Sequence, residues 1–291
     1  MSLLRNRFSY DAAPAALTAA VCVIAAFITD AGRGANAQSR LEAQYTASVA
    51  GIPIGHGNWV IEIVEDQYSA AANGSTTGLL KVFASAHGTG ASQGSFNGEQ
   101  PVPTNYAATI DFDRKIDDVR MVMSGGNVKD FAVDPPLIPH PERIPVTDAD
   151  RRGVVDPMSS TINRVGGSGD PVSPQACGRK VGVFDGRVRY DLRSEFKRME
   201  MVKAERGYQG PAVVCAVYFE PIAGYIPSRA VIKYLIELRD AEVWFAPIAG
   251  TRVLVPFRFS MPTPIGMGVL QATQFVSAPQ VAHPAVSAKT Q

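Results

Sequence analysis

The side chains of this chain that could do chemistry are few, and none lies at the spacing of a catalytic motif. The histidines fall in separate predicted turns, loops and the C-terminal tail, at His56, His87, His140 and His283. Folding would have to bring them together, because metal ligands and acid–base pairs must lie within bonding reach of one another. We therefore predict a non-enzymatic protein with no catalytic residues, no metal site and no cofactor.

The serines at 159–160 are a second chemical candidate, since they follow an aspartate in the stretch DPMSSTINRV. No G-x-S-x-G pattern surrounds them, so nothing in the local sequence would expose a serine as a nucleophile. Asp156 is a good helix N-cap, and Pro157 suits a first helical turn. We predict a short helix at residues 156–165 instead of an active site.

The acidic stretch DFDRKIDD at residues 111–118 is the third candidate, because four carboxylates could bind Ca²⁺. An EF-hand loop needs a glycine that this stretch lacks, and an oxygen ligand at the position that Lys115 occupies. We interpret the stretch as an acidic turn between two strands.

Residues 1–37 have the three parts of an export signal. Arg5 and Arg7 precede an apolar run at 15–28, and the small-x-small tripeptide ANA ends just before Gln38. The run is short and alanine-rich for a spanning helix, although a retained membrane anchor is the alternative interpretation. We predict cleavage after residue 37 and a mature protein that is not integral to a membrane.

Cleavage at that point would leave two cysteines, Cys177 and Cys215, in an exported chain. An even pair in an oxidising compartment favours one disulfide over two free buried thiols. The bridge would close a loop of about 39 residues, worth roughly 3–4 kcal/mol in the loop-entropy model.

The charge balance excludes one class of partner. The whole chain has 28 basic and 27 acidic residues, of which three arginines and two aspartates precede Gln38, so 25 of each remain. Zero net charge argues against the basic surface that non-specific nucleic-acid binding needs, and it gives no reason to expect strong attraction to anionic lipid. We predict no nucleic-acid partner.

Most of the remaining sequence alternates apolar and polar residues with a period of two, which indicates short antiparallel strands. The alternation is clearest in Leu41–Gly51 and Asn58–Asp66, which we predict to pair as a hairpin. Gly88–Pro103 is predicted as a polar loop with at most one short edge strand. A second short helix is predicted at 229–239, where apolar residues recur with helical spacing.

Five prolines between residues 134 and 153 exclude helix and central strand, so this segment is predicted to be an extended connector. It is either a strap across one domain or a linker between two. We predict a single β-rich domain at residues 38–277 and a loose tail at 278–291, which is rich in alanine, proline and serine.

Large apolar side chains on the predicted strands could turn inward in a curled sheet. They would form an ordinary core or an apolar groove that holds a ligand, with the helix at 156–165 as a plug in the concavity. The residues are Tyr45, Trp59, Ile61, Phe83, Phe112, Tyr218, Trp244, Phe257 and Phe259.

Four stretches together resemble the domain-of-unknown-function 3108 family of Gram-negative envelope proteins. They are YTASVAGIPIGHG (45–57), VVDPMSS (154–160), VFDGRVRYDL (183–192) and CAVYFEPIAGY (215–225). The resemblance runs from about residue 41 to residue 276. It implies a periplasmic, mainly β protein whose antiparallel sheet is curled into an open or spiral barrel, with no catalytic residues to carry over.

These expectations combine into a periplasmic envelope protein with a binding or scaffold role. Its partner would be a lipid-like ligand or an apolar segment of an envelope protein, held in the concave sheet. The alternative is a periplasmic hydrolase acting on envelope polymers. A cleft with two carboxylates roughly 5–10 Å apart would favour that alternative.

Overall fold

The computed structural model describes residues 38–77, 86–113 and 115–280, so the predicted export signal at 1–37 lies outside the described residues. The described chain is dominated by strands. They are β1 (Gln38–Val49), β2 (Ile52–Val64), β3 (Gln67–Thr76), β4 (Ala86–Asn97), β5 (Gln100–Phe112), β6 (Lys115–Ser124), β7 (Asn127–Asp134), β8 (Asn163–Arg164), β9 (Lys180–Phe184), β10 (Arg189–Lys203), β11 (Arg206–Gly207), β12 (Gln209–Ala223), β13 (Glu242–Pro247), β14 (Val253–Thr263) and β15 (Gly266–Gln280).

All fifteen strands belong to one sheet, in the order β7-β6-β5-β4-β3-β2-β1-β15-β14-β13-β12-β10-β9, with β11 on β15 and β8 on β14. Every neighbouring pair along this order is antiparallel. The sheet does not close, because β7 and β9 do not pair with each other. The predicted mainly β, antiparallel, open architecture is confirmed.

The sheet curls far enough for a short segment to bridge its two free edges. The amide of Val154 donates to the carbonyl of Gly126, beside β7, at 2.8 Å. The amide of Phe184, on β9, donates to the carbonyl of Val155 at 3.0 Å. A salt bridge of 2.6 Å from Arg187 to Asp117 joins the same two ends of the sheet. The result is an open barrel with two mouths, and each long strand runs from one mouth to the other.

The core follows from the period-two pattern that predicts the first hairpin. In β1 and β2, alternate side chains are buried and face each other in register, as in the pairs Leu41–Ile61 and Ala43–Trp59. A period of two places successive side chains on opposite faces, so one face of this hairpin fills the barrel.

The helix predicted at 156–165 is wrong. The structure has a 3-10 turn at Ser159–Thr161, followed by strand β8. The hydroxyls of Ser160 and Thr161 donate to the carbonyls of Pro157 and Met158, at 2.7 and 2.6 Å. Serine and threonine compete with the helical backbone in this way, and β-branched residues follow them.

The second predicted helix is confirmed as α1 (Ala230–Glu237), within the predicted span 229–239. None of its residues is buried, and the hydroxyl of Tyr234 donates to the carbonyl of Pro262 at 2.8 Å. No helix in the described part of the chain is long and apolar enough to cross a membrane.

The proline-rich connector has no helix or strand from residue 135 to 148, as its prolines predict, and a 3-10 turn lies at Ala149–Arg151. It runs against the end of β12, where Ile144 exchanges backbone hydrogen bonds with Gly224 and Tyr225 at 2.8 and 3.0 Å. Strands from both sides of the connector lie in the same sheet.

The predicted boundary of the loose tail is displaced. Residues 278–280 are the end of β15 and pair with residues 38–40 of β1. The alternation of β15 is weak, but pairing with β1 supplies backbone partners regardless of side chain. Residues 281–291 lie outside the described residues.

Cys177 and Cys215 lie with their sulfurs at bonding distance and their Cα atoms 5.7 Å apart, within the range of a disulfide. Cys215 is on β12, and Cys177 ends the segment 165–177. That segment covers a second apolar cluster on the sheet, which contains Val165, Val172, Ala176, Val213, Val243, Phe245 and Leu254. The bridge therefore fastens a surface segment to the sheet.

Candidate functional site

The main candidate site is an apolar cavity of about 690 Å³ at the mouth of the barrel where β1, β3 and β5 end. Strands β1 to β5 form its wall, and the segment Pro157–Thr161 contributes side chains to it from inside the barrel. Its volume is in the range of cavities that bury small organic ligands. The lining includes Tyr45, Ile54, Trp59, Ala72, Tyr106, Ile110, Met158 and Leu270.

Small residues on the strands leave this space open. Gly55 and Gly57 permit a close approach of β2 to β3, because a Cβ at either position would lie 2.9 or 2.7 Å from a carbonyl oxygen of β3. Gly90 on β4 makes room for the inner segment, since a Cβ there would lie 3.1 Å from the terminal methyl of Met158. Glycine in a strand often marks such close approaches.

Trp59 is a buried residue of the cavity wall whose polar group is unpaired in the described structure. Its side chain is 9% exposed, and its indole N–H has no hydrogen-bond partner among the described residues. Buried indole N–H groups usually find an acceptor, and an unsatisfied one costs free energy. Tyr45 differs, because its hydroxyl donates to the carbonyl of Pro256 at 2.6 Å.

The segment Asp156–Thr161, hereafter the plug, is held inside the barrel by a buried polar network. Asp156 accepts hydrogen bonds at Oδ1 from the amides of Met158 and Ser159, at 3.0 and 2.9 Å. At Oδ2 it accepts from the hydroxyls of Ser92 and Ser159, at 2.9 and 2.5 Å. Tyr68 completes the network, with its hydroxyl 2.7 Å from that of Ser159.

Burial dominates the electrostatics of this network. It raises the pKa of Asp156 above its ordinary value, although four hydrogen bonds act in the opposite direction. Burial also raises the pKa of Tyr68 and Tyr106, with the Asp156 charge adding to it in both. Among the described residues, no cation forms a salt bridge with Asp156. The arrangement locks the plug to β3 and β4, because Tyr68 and Ser92 on those strands are hydrogen-bonded to Ser159 and Asp156.

The sequence-based interpretation of these serines is partly confirmed. Asp156 caps a turn, as predicted, and the turn lies in the concavity, as predicted for the plug. The chain element is a 3-10 turn instead of an α-helix. The hydrogen bonds of the plug with Ser92 and Tyr68 cannot be predicted from local sequence, because those residues lie 64 and 91 positions from their partners.

The sheet does bring some of the scattered histidines together. His56, Ser75, His87 and Asp111 are successive register partners across β2, β3, β4 and β5. The hydroxyl of Ser75 lies 3.3 Å from Nε2 of His56, but no hydrogen bond between side chains joins His87 to Ser75 or Asp111 in the described structure. Within the same residues, no group of three or more histidine, cysteine or acidic side chains could hold a metal ion. This row is too loosely connected and too exposed for a formed triad.

Most of the apolar residues predicted to turn inward do so. Tyr45, Trp59, Ile61, Trp244 and Phe257 are buried in the main core cluster. Phe112 is instead exposed at the end of β5, Tyr218 is half-buried on β12, and Phe259 packs against the second apolar cluster. Phe83 lies outside the described residues. The acidic stretch at 111–118 runs from the end of β5 into the start of β6 and so contains the connection between these two strands, as predicted.

A second cavity, of about 920 Å³, lies between the turns at the other mouth and is polar. Glu99, Arg179 and Lys180 are among its lining residues. Arg179 donates to the side-chain oxygen of Asn163, and burial lowers its pKa. Lys180 forms salt bridges with Asp191 and Glu220. The two mouths of the barrel therefore differ in chemistry.

A charged network on β10 and β13 stabilises the far side of the barrel. Arg198 donates two hydrogen bonds to Glu242, at 3.0 and 2.9 Å, and Lys197 lies 2.7 Å from the same carboxylate. These cations lower the pKa of Glu242 to about 2. Trp244 lies beside this network, with its indole N–H donating to Glu200 at 2.6 Å.

We expect Glu242→Gln to lower the free energy of unfolding by about 1–2 kcal/mol at neutral pH. Because the pKa of Glu242 is lowered in the folded protein, its contribution is present above the ordinary value of 4.5. It is lost as the pH falls towards 2. Urea unfolding at several pH values would show the wild-type and variant curves converging between pH 4.5 and 2. Glu205→Gln, an exposed acid, is the control, and a difference independent of pH would contradict the assignment.

Two comparisons with known proteins found a similarity to this chain. A family model described as a protein of unknown function, DUF3108, matches residues 44–273. No curated protein matches the chain. Among solved structures, it is similar to the β-barrel-like protein of domain of unknown function DUF1849 from Brucella abortus, with 9% sequence identity and a TM-score of 0.46. That match covers 84% of this chain and 99% of the other.

Proposed function

The chain belongs to the DUF3108 family, whose description names no activity, and from the geometry of its cavity we propose that it is a non-enzymatic binding protein for a lipid-like ligand. The observation that carries the proposal is the apolar cavity of about 690 Å³, open at one mouth of the barrel. Apolar cavities with a few polar groups are the usual form of a small-molecule site.

The shape of the cavity favours an acyl chain over a polar ligand. Its lining is mostly aliphatic, aromatic or glycine backbone, and the plug contributes Pro157 and Met158. Methionine adapts its shape to irregular apolar partners. An apolar segment of an envelope protein is the second occupant that this chemistry would accept.

The proposed compartment is the periplasm. The export pattern at residues 1–37 and the pair Cys177–Cys215 support it, because disulfides persist in oxidising compartments. A binding protein for apolar ligands could carry them through the periplasm, since such ligands do not cross an aqueous space unaided.

The two tryptophans of the chain allow the proposal to be tested site by site. Trp59 lines the cavity, whereas Trp244 does not and lies between Arg198 and Arg258. We expect a brominated fatty acid to quench the fluorescence of Trp59, measured in Trp244→Phe, because bromine quenches at close range. The fluorescence of Trp244, measured in Trp59→Phe, should change little. Equal quenching of both, or of neither, would contradict binding in this cavity.

A cavity-filling variant provides a second, independent measurement. Gly88 lines the cavity, and a Cβ there would meet its nearest neighbours at 3.8 and 3.9 Å, an ordinary contact distance. Gly88→Leu should therefore fold and reduce fatty-acid affinity about tenfold or more, because the side chain occupies ligand volume. Gly169→Leu is the matched control, since nothing lies within 4 Å of a Cβ there. Native mass spectrometry of protein purified from the periplasm would identify any lipid retained at fixed stoichiometry.

The hydrolase alternative makes a different prediction. It would require a reactive serine or paired carboxylates at the cavity, and Ser75 beside His56 is the group that comes nearest to this. Under the binding proposal, a fluorophosphonate probe does not label the wild-type protein. Labelling of Ser75 would favour the hydrolase instead.

A further inference from the structure

The mouth of the apolar cavity carries exposed apolar side chains on separate turns. On one side, the β1–β2 and β14–β15 turns are joined by a 3.0 Å hydrogen bond from the amide of Ala50 to the carbonyl of Met267. Ile52 is 62% exposed there and Ile265 is 77% exposed. Turns of this kind usually carry polar residues, so the exposure of these apolar side chains calls for an explanation.

The other side of the mouth has a matching group at the β5–β6 turn. Ile110, Phe112 and Ile116 are each about half exposed, at 52%, 51% and 57%. Ile116 is the register partner of Asp111, which places it at the same hairpin end, on the face opposite to Ile110 and Phe112. The strands of the two groups, β2 and β5, are separated in the sheet by β3 and β4.

Ile110 and Leu270 connect both groups to the cavity, because each is exposed and also lines it. We call the whole set the apolar rim: Ile52, Ile110, Phe112, Ile116, Ile265, Met267 and Leu270. Isolated exposed apolar residues are ordinary, but a group of them around an opening marks an interaction surface.

The charges near the rim indicate what kind of surface it fits. The stretch 111–118, which joins β5 to β6, carries Asp111, Asp113, Asp117 and Asp118 against Arg114 and Lys115, and the chain from Gln38 onward has no net charge. Such a rim gains nothing from anionic headgroups, so its attraction to a lipid surface would be apolar and largely independent of salt.

We propose that the apolar rim seats the mouth of the cavity on the surface of a neutral lipid bilayer, through which an apolar ligand enters or leaves. This inference rests on the proposed binding function, because a bilayer is the reservoir of such ligands. Side chains on turn tips to either side of an opening suit insertion between headgroups. They do not form the continuous groove that a peptide or helix would occupy.

Flotation of ligand-free protein with phosphatidylcholine vesicles tests the proposal. We expect the wild type to float with the vesicles, equally at low and high salt. The double variant Phe112→Ser/Ile265→Ser should lower the partition coefficient at least about tenfold, because it removes two inserted apolar side chains. Met199→Ser/Met201→Ser is the matched control, since both methionines are exposed on β10 and neither lines the cavity. It should float like the wild type.

A wild type that stays with the soluble fraction overturns the proposal, as does an equal loss in both double variants. Quenching of Trp59 by a brominated fatty acid added as monomer separates this outcome from failure of the binding function. Retained quenching with no flotation overturns only the bilayer contact. Flotation that depends on the rim, without quenching, supports the contact and removes the binding function.

Discussion

Replacing Cys215 with serine is expected to lower the free energy of unfolding by about 3–4 kcal/mol, because the bridge to Cys177 closes a loop of 38 residues in sequence separation. Cys215 is fully buried in the second apolar cluster, so a serine hydroxyl there adds a cost of its own. Urea unfolding of the oxidised wild type and of the variant measures the difference.

The double variant Cys177→Ala/Cys215→Ala separates the lost bridge from the buried hydroxyl. It should remain destabilised, and a reducing agent should destabilise the wild type but not this variant. Intact mass gives the direct readout, since the bridged chain is two hydrogens lighter than the reduced one. A wild type whose stability ignores the reducing agent would refute a stabilising disulfide.

Removing the carboxylate of Asp156 should have an effect of similar size. Asp156→Ala leaves two buried amides and two buried hydroxyls without their acceptor, at Met158, Ser159 and Ser92. Each unsatisfied buried donor costs about 1–3 kcal/mol, although hydroxyls can rotate, so we expect a loss of about 3 kcal/mol or more. Thermal and urea unfolding would measure it.

Asp156→Asn is the informative control, because it keeps one acceptor oxygen and removes the charge. Burial raises the pKa of Asp156 in the folded protein. Its ionisation therefore costs stability as the pH rises from its ordinary value of 3.8 through the folded pKa. The asparagine variant should lose less than the alanine variant, and its stability relative to wild type should improve as the pH rises through that window. The reverse trend would show that the hydrogen bonds outweigh burial.

The two predictions concern different parts of the molecule, and only the plug contributes to the cavity. The disulfide fastens a surface segment to β12, and Asp156 holds the plug against β3 and β4. A loosened plug would also change the cavity, since Met158 contributes to its lining. Fatty-acid binding by Asp156→Ala, measured below its unfolding transition, should therefore weaken more than binding by Cys215→Ser.

The sequence by itself determined the fold class, the family and the cysteine pair. Alternating residues such as Leu41, Ala43 and Tyr45 predict strands because a strand turns successive side chains to opposite faces. The helix at 229–239 was likewise predictable, since an amphipathic repeat is local information. These signals depend only on neighbours in the chain.

Only the tertiary structure shows the conformation of residues 88–103 and 156–165, which the local sequence pattern predicts wrongly. The glycine- and serine-rich stretch 88–103 reads as a loop, yet it forms most of β4 and the start of β5, paired on both sides. Two of its small residues, Gly90 and Ser92, lie against the plug, where they meet Met158 and Asp156. The helix predicted at 156–165 failed for a local reason and a distant one. The hydroxyls of Ser160 and Thr161 compete with the helical backbone, and buried hydrogen bonds from Ser92 and Tyr68 hold the segment in place. Contacts between residues far apart in sequence leave no periodic trace, so the partners that hold the plug, the bounds of the cavity and the apolar rim could be found only in the folded chain.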